Sequence, residues 1–447
     1  MTSNTLDSSR TTRPSQTRKS SSRLLTTLAW LVISPLLTSC VGTVSSIVPK
    51  APAQKDAWLS FKFQTPNGAA GCGDYNTCIE LVNDAEATAY YNALGISNPA
   101  TYKFSDWLNF AGFTGANSNQ IAHAIFVNKL DLQFGRDMYC VKKGQTIACY
   151  VVNYGPQPFI LGTGENPLWP DLNAAIDDAK NHTHPPFATV AMIYDPANAN
   201  NTVSFYVFNN GIAPDPLDPT TVPLALQAAL DAEGGKTVPR MCMSCHGGAY
   251  TKSTSTSPAQ VHGTAFLPFD VFSFGLAADD QGQLDFLNLN AFVLATNPPP
   301  AIAEFVNGTY ADYPSGIGAP FSQTKAGAVV DFIPTAGWQN ATDPDPNVHP
   351  AAIYGSVVRQ YCRMCHLAQS QDFSTYTKFK NSAALIEGYV CVNGDMPHME
   401  VPFGSQTNRL LQNGGIGFWL DPDPQARIDL HNFLSSVLQQ TSSCATN

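Results

Sequence analysis

Charge is scarce in this sequence: Asp, Glu, Lys and Arg make up only 13% of 447 residues, with 24 basic against 34 acidic side chains and a net charge of −10. The low charge, beside 44% hydrophobic residues, excludes a disordered chain. The acidic balance excludes nucleic acid as a partner, because a phosphate backbone needs a basic surface. No P-loop, no G-x-S-x-G elbow and no H-E-x-x-H occurs, so the familiar nucleotide and hydrolase chemistries lack their motifs. The nine histidines are scattered and form no metal-binding tract. The longest apolar run near the N-terminus, Leu24 to Leu37, is too short to span a bilayer.

What is present is cysteine in a particular pattern. Cys242-Met243-Ser244-Cys245-His246 and Cys362-Arg363-Met364-Cys365-His366 are both C-x-x-C-H. In such a motif two thioether bonds hold the edge of a haem, and the histidine after the second cysteine faces the iron as proximal ligand. A zinc site would want a second C-x-x-C some 15 to 20 residues away. A thioredoxin-like pair would want a βαβ setting. The expected cofactors are therefore two covalently bound haem c groups, held by Cys242, Cys245 and His246 and by Cys362, Cys365 and His366.

The N-terminus fits that chemistry. Arg10, Arg13, Arg18, Lys19 and Arg23 precede the short apolar run, the pattern of an export signal. Leu37-Thr38-Ser39-Cys40 resembles the lipobox of bacterial lipoproteins, which implies lipidation at Cys40, removal of residues 1–39 and a membrane-anchored protein facing the periplasm or cell surface. Loss of residues 1–39 removes five basic residues and Asp7, leaving 19 basic against 33 acidic. Such a surface favours redox partner proteins with basic docking faces.

An exported compartment permits disulfides. Of the eleven cysteines, four are assigned to haem and one to lipid, which leaves Cys72, Cys78, Cys140, Cys149, Cys391 and Cys444. Gly144-Gln145 suits a two-residue type II′ hairpin, and counting outward sets Cys140 opposite Cys149 at a non-hydrogen-bonded pair, where side chains approach most closely. Cys72 and Cys78 flank a turn-rich segment that can close on itself. Elimination then pairs Cys391 with Cys444.

Along the chain, 40–54 reads as a tether and 55–235 as a strand-rich domain. Phe187 to Tyr194 and Thr202 to Phe208 are β-branched and aromatic runs that predict a hairpin; Lys129 to Phe134 alternates as a strand, and Thr88 to Leu94 and Leu224 to Ala232 are expected helices. His182 and His184 are a candidate metal pair, although the prolines after them argue for a loop. The segment 236–335 carries the first motif on a helix ending at Gly247-Gly248, followed by an aromatic-rich stretch with helices near Leu284 to Leu294 and Ala301 to Val306. In 336–447, Ile353, Val357 and Tyr361 lead as an amphipathic helix into Cys362. A short helix from Ser382 to Glu387 is expected to stop at Gly388. A final helix opens at Asp423-Pro424 with Leu430, Phe433, Leu434, Val437 and Leu438 in one stripe.

Motif helix, a Gly394-Asp-Met-Pro-His398 loop about thirty residues on, and a closing helix together resemble the small class I cytochrome c domain over the last quarter of the chain. The resemblance implies Met396 as the distal ligand of the second iron, with His398 and Met399 as rivals. For the first iron, His262 is the nearest downstream histidine, and Met138, Met192, His123, His182 and His184 lie upstream; an open coordination site is the competing expectation. The expected fold is multi-domain α+β: a strand-rich N-terminal domain, then a mainly helical haem-binding region ending in a cytochrome c-like all-α domain. The expected function is single-electron transfer by a membrane-anchored dihaem cytochrome, with a dihaem peroxidase or oxygenase as the alternative if the first iron has an open site.

Overall fold

Backbone N–H and C=O groups taken out of water must be paired, and the middle of this chain meets the demand with a sheet. The computed structural model describes residues 83–117, 120–128, 135–154, 172–197, 202–229, 235–272, 274–276, 280–311, 332–369, 371–392 and 424–444. Strands β1 (Ile121–Asn128), β2 (Gly135–Lys143), β3 (Thr146–Tyr154), β4 (Ala188–Tyr194) and β5 (Val203–Phe208) form consecutive antiparallel pairs. Two small ladders, β6 (Gln227–Ala229) with β7 (Gly235–Thr237) and β8 (Ala249–Thr251) with β9 (Gln260–His262), stand beside the sheet. Strand β10 (Phe274–Leu276) adds to the outer side of β1, giving the order β10-β1-β2-β3-β4-β5. The protein is thus mixed α+β, with an antiparallel sheet and many helices.

The β2–β3 hairpin turns through Gly144 at φ 64°, where a glycine carries no Cβ penalty. Its register sets Cys140 opposite Cys149, and the two are bonded with Cα atoms 4.1 Å apart. Cys391 and Cys444 are bonded as well. Cys40, Cys72 and Cys78, the signal and tether segments, and Lys129 to Phe134 lie outside the described residues. Closing a short loop constrains the unfolded chain, so Cys140→Ser together with Cys149→Ser is expected to lower the unfolding free energy by about 2 to 3 kcal/mol. Chemical denaturation of the variant beside the wild type measures this, and an unchanged midpoint would mean that the sheet alone fixes the hairpin.

The outer edge of β5 is covered by side chains and loop. Helix α1 (Asp84–Ala93) is capped by Asn83, whose side chain accepts from Ala85 N and Glu86 N, so it starts earlier than the expected Thr88. Its Tyr90 hydroxyl accepts from Phe205 N at 2.8 Å and donates to Phe205 O at 3.2 Å. Leu224 to Ala232 is not the expected helix. Ala225 N instead donates to Val207 O at 2.7 Å, and Gln227–Ala229 is strand. Unpaired edge groups of β5 outweigh a local apolar spacing.

Helix α2 (Phe104–Ala111) and α3 (Leu172–Asn181) cover one sheet face; α4 (Arg240–His246), α5 (Asp280–Leu294) and α6 (Pro300–Thr309) follow. One hydrophobic core runs from Tyr90 to Tyr310. Because β10 and α5 both pack on β1, the expected division near 235 does not separate two cores: the stretch after the first motif completes the sheet of the stretch before it. A second core gathers Trp338, Tyr354, Val357, Phe379, Leu430, Phe433 and Leu434.

Around the second core, α7 is a continuous helix with three windings: α-helical Pro350–Ile353, π-helical Tyr354–Cys362 and α-helical Arg363–His366. Then come α8 (Tyr376–Asn381) and α9 (Ala383–Ile386), which continues as a π-helical stretch Glu387–Val392. Gly388 therefore does not stop the helix as expected; a Cβ there would meet nothing within 4 Å, and the half-buried glycine is tolerated inside the winding. Helix α10 (Gln425–Leu438) buries Leu430, Phe433 and Leu434, and its Asp429 accepts from Ser356 Oγ of α7 at 2.5 Å. Among the described residues no helix is long and apolar enough to cross a membrane.

Candidate cofactor-attachment site

The two C-x-x-C-H motifs, 120 residues apart in sequence, occupy helix ends that touch. The first helix, α4, follows Pro239 and ends at Gly247 (φ 68°) and Gly248 (φ 85°). The second motif is the last turn and a half of α7. A Cβ on Gly247 would collide with the carbonyl oxygen of Ala368 and lie 2.7 Å from its carbon. Only a glycine permits this approach of one backbone to the other. The Gln369 side-chain amide donates to the carbonyl of Ser244, inside the first motif. Leu367 belongs to the first core, and Met364 and Ala368 pack against it, although the start of α7 belongs to the second.

Both histidines are oriented in the same way. His246 Nδ1 lies 2.8 Å from Ala265 O, and Ala265 N returns a bond to His246 O at 3.1 Å. His366 Nδ1 lies 2.7 Å from Gln371 O, and Phe373 N donates to His366 O at 3.1 Å. A carbonyl oxygen can only accept, so each Nδ1 carries the proton, and in the neutral ring the acceptor nitrogen is Nε2. This is the tautomer in which an imidazole ligates a metal through Nε2 while its other nitrogen is anchored. Phe373 stacks on the His366 ring at 3.9 Å and 8°, and Phe205 lies 5.3 Å from the His246 ring.

Cys242 and Cys362 are buried, and Cys245 and Cys365 are partly exposed. Burial holds the Cys242 and Cys362 sulfhydryls well above the ordinary cysteine pKa.

Each motif helix is also pinned by a buried arginine. Arg240, just before the first motif, donates through Nε to Glu86 at 2.9 Å and lies over the Tyr250 ring. Arg363, inside the second, donates through Nε to Asp270 at 2.8 Å and through Nη2 to the same oxygen, with Nη1 on Phe332 O at 3.4 Å. Asp270 belongs to the segment after the first motif, so this pair joins the two motif regions as well.

The remaining candidates fall elsewhere. His262 ends β9 and faces Ala249 across the hairpin that hangs on the first motif, three residues before the Ala265 carbonyl on the Nδ1 side of His246. Met138 and Met192 are buried in the first core. His182 and His184 diverge, one to Asp137 at 3.5 Å and the other to Asp178 at 2.9 Å. Among the described residues no cluster of three His, Cys, Asp or Glu side chains is arranged to hold a metal ion. Met396, with His398 and Met399, lies outside the described residues. Sequence inspection missed Ala265 and Gln371, whose contribution is a backbone carbonyl and leaves no trace in residue type. It also missed the close approach that the Gly247-Gly248 pair and the arginine within an otherwise apolar motif both signal. No family model, characterised protein or solved structure matches this chain.

Proposed function

We propose that the chain binds two haem c groups, at Cys242, Cys245 and His246 and at Cys362, Cys365 and His366, and passes single electrons between redox partner proteins. The observation that carries this is the docking of the two motif helices on each other, Gly247 against Ala368 and Gln369 on Ser244: electron transfer requires nearby centres, and two unrelated structural motifs have no such requirement. The matched histidine tautomers support it.

Haem, when bound, supplies a reversible one-electron iron couple. The residues of this chain do the rest. Carbonyl-anchored Nδ1–H groups raise the basicity of each imidazole, Phe373 holds the plane of one ring, and the apolar surroundings of Cys242 and Cys362 exclude water from the attached edges. Residues 336–447 form the cytochrome c-like part in this proposal, supported by α10 packing on α7 ahead of the motif; Met396 is the proposed distal ligand there. Residues 1–39 direct export, and Cys40 carries the lipid that holds the protein on a membrane.

The test is a pyridine haemochrome count on protein made in a host that matures c-type cytochromes. Two haem equivalents are expected in the wild type. Cys242→Ala with Cys245→Ala, and Cys362→Ala with Cys365→Ala, are each expected to retain one. Colourless protein, or pigment that extracts into acid acetone, would overturn the proposal.

A further inference from the structure

A column of redox-active side chains leads away from the first motif around the free edge of the sheet. Phe205 contacts the His246 ring on one face. The Tyr90 hydroxyl is bonded to the backbone of that same Phe205, and Tyr91 lies 5.3 Å from Tyr90. From Tyr91 the ring spacings continue at 6.2 Å to Tyr206, 6.1 Å to Trp107, 6.0 Å to Tyr150 and 5.0 Å to Tyr139 on the other face. Packing alone would be served as well by Phe or Leu. Trp107 is completely buried, yet among the described residues its Nε1–H has no acceptor, a loss of roughly 1 to 3 kcal/mol that phenylalanine would not incur.

The column ends at a proton acceptor. Tyr139 donates its hydroxyl to Asp137 Oδ2 at 2.9 Å; Asp137 is 3% exposed and also accepts from His123 Nε2 at 2.6 Å, with His182 Nε2 at 3.5 Å. His123, itself partly exposed, stacks on the Tyr139 ring at 4.4 Å. His182 holds a left-handed backbone at φ 52°, a conformation that costs a non-glycine residue energy and marks built sites. Oxidised tyrosine is a strong acid and must lose its proton. Tyr90 and Tyr91 donate to backbone carbonyls, which are poor bases, and among the described residues the Trp107 Nε1–H has no acceptor. An oxidising equivalent anywhere in the column therefore comes to rest at Tyr139.

We propose that Tyr139 is a further redox site of this protein, oxidised by one electron as its proton passes to Asp137 and refilled through the aromatic column from the first motif. The co-reactant is an organic oxyl or peroxyl radical in solution: it takes the electron and becomes its anion, Tyr139 becomes a neutral phenoxyl radical, and Asp137 becomes protonated. One electron from the interior and the same proton then restore the phenol. Only the refilling step rests on the haem proposal.

The test is laser flash photolysis of the full-length protein with ruthenium(III) tris-bipyridine generated in solution as the one-electron oxidant. A tyrosyl radical is expected in the transient spectrum and in freeze-quenched electron paramagnetic resonance. Tyr139→Phe should lose most of that signal, and Asp137→Asn, which keeps the phenol and removes the base, should slow its formation. In dithionite-reduced protein Trp107→Phe should keep the radical but delay its decay. A full-strength signal in Tyr139→Phe, or an unchanged decay in Trp107→Phe, would overturn the proposal. Haem content is read from its own bands before the flash, so haem-free protein defeats the earlier proposal while leaving the Tyr139 arm to be read.

Discussion

Asp270→Ala is expected to lower the unfolding free energy by about 3 to 5 kcal/mol, because it removes the carboxylate that pairs with a buried guanidinium. Arg363 is 2% exposed and Asp270 is fully buried, so water cannot replace the lost carboxylate without opening the core. Among the described residues the guanidinium also contacts Phe332 O and the face of the Phe305 ring, 4.8 Å away. Arg363→Met combined with Asp270→Leu should recover most of the loss, since the penalty lies in the orphaned charge rather than in the absence of the pair. The cost left over reflects Phe272 N, which Asp270 Oδ1 also accepts at 3.0 Å. Denaturant titration of the wild type, Asp270→Leu, Arg363→Met and the double variant completes the cycle. A loss below about 1 kcal/mol in Asp270→Ala would mean that the pair is hydrated, as surface pairs are.

Among the described glycines, Gly247→Ala should add the most damaging single methyl. At φ 68° an alanine is strained, and its Cβ would be driven into the Ala368 carbonyl; strain and overpacking together amount to roughly 3 kcal/mol or more. The control is Gly144→Ala, whose φ of 64° is similar but whose Cβ would meet nothing within 4 Å. That change should cost only about 1 kcal/mol. Thermal unfolding of the two variants separates conformational strain from collision. On the haem proposal, Gly247→Ala should also change the redox titration, which Gly144→Ala leaves untouched. Equal effects of the two substitutions would count against a tight contact between the motif helices.

Local chemistry was the legible part of this chain. Gly144-Gln145 between alternating strands placed Cys140 against Cys149, Gly247-Gly248 marked the end of the first motif helix, and the stripe from Leu430 to Leu434 marked the final helix. In each case the deciding interactions lie within a few residues. Leu224 to Ala232 misled because its outcome is decided by a distant partner, the open edge of β5, which local spacing cannot register. The same holds for the sheet, since Phe274 to Leu276 reaches back across about 150 residues to pair with β1. The candidate site divides along the same line. Its cysteines and histidines carry their chemistry in their identity, whereas the carbonyls that orient the rings and the abutment of the two helices exist only after folding.

The burial of Cys242 and Cys362 has a consequence for biosynthesis. Neither sulfur can be reached by a modifying enzyme once its helix has packed, and the turn after Cys362 closes onto a core begun more than 250 residues earlier. On the haem proposal, attachment to these two sulfurs would come while the polypeptide is still open, before Leu367 completes the interior of the N-terminal half. Maturation and folding are thereby ordered in time, and a chain that collapses early would be trapped with its thiols out of reach.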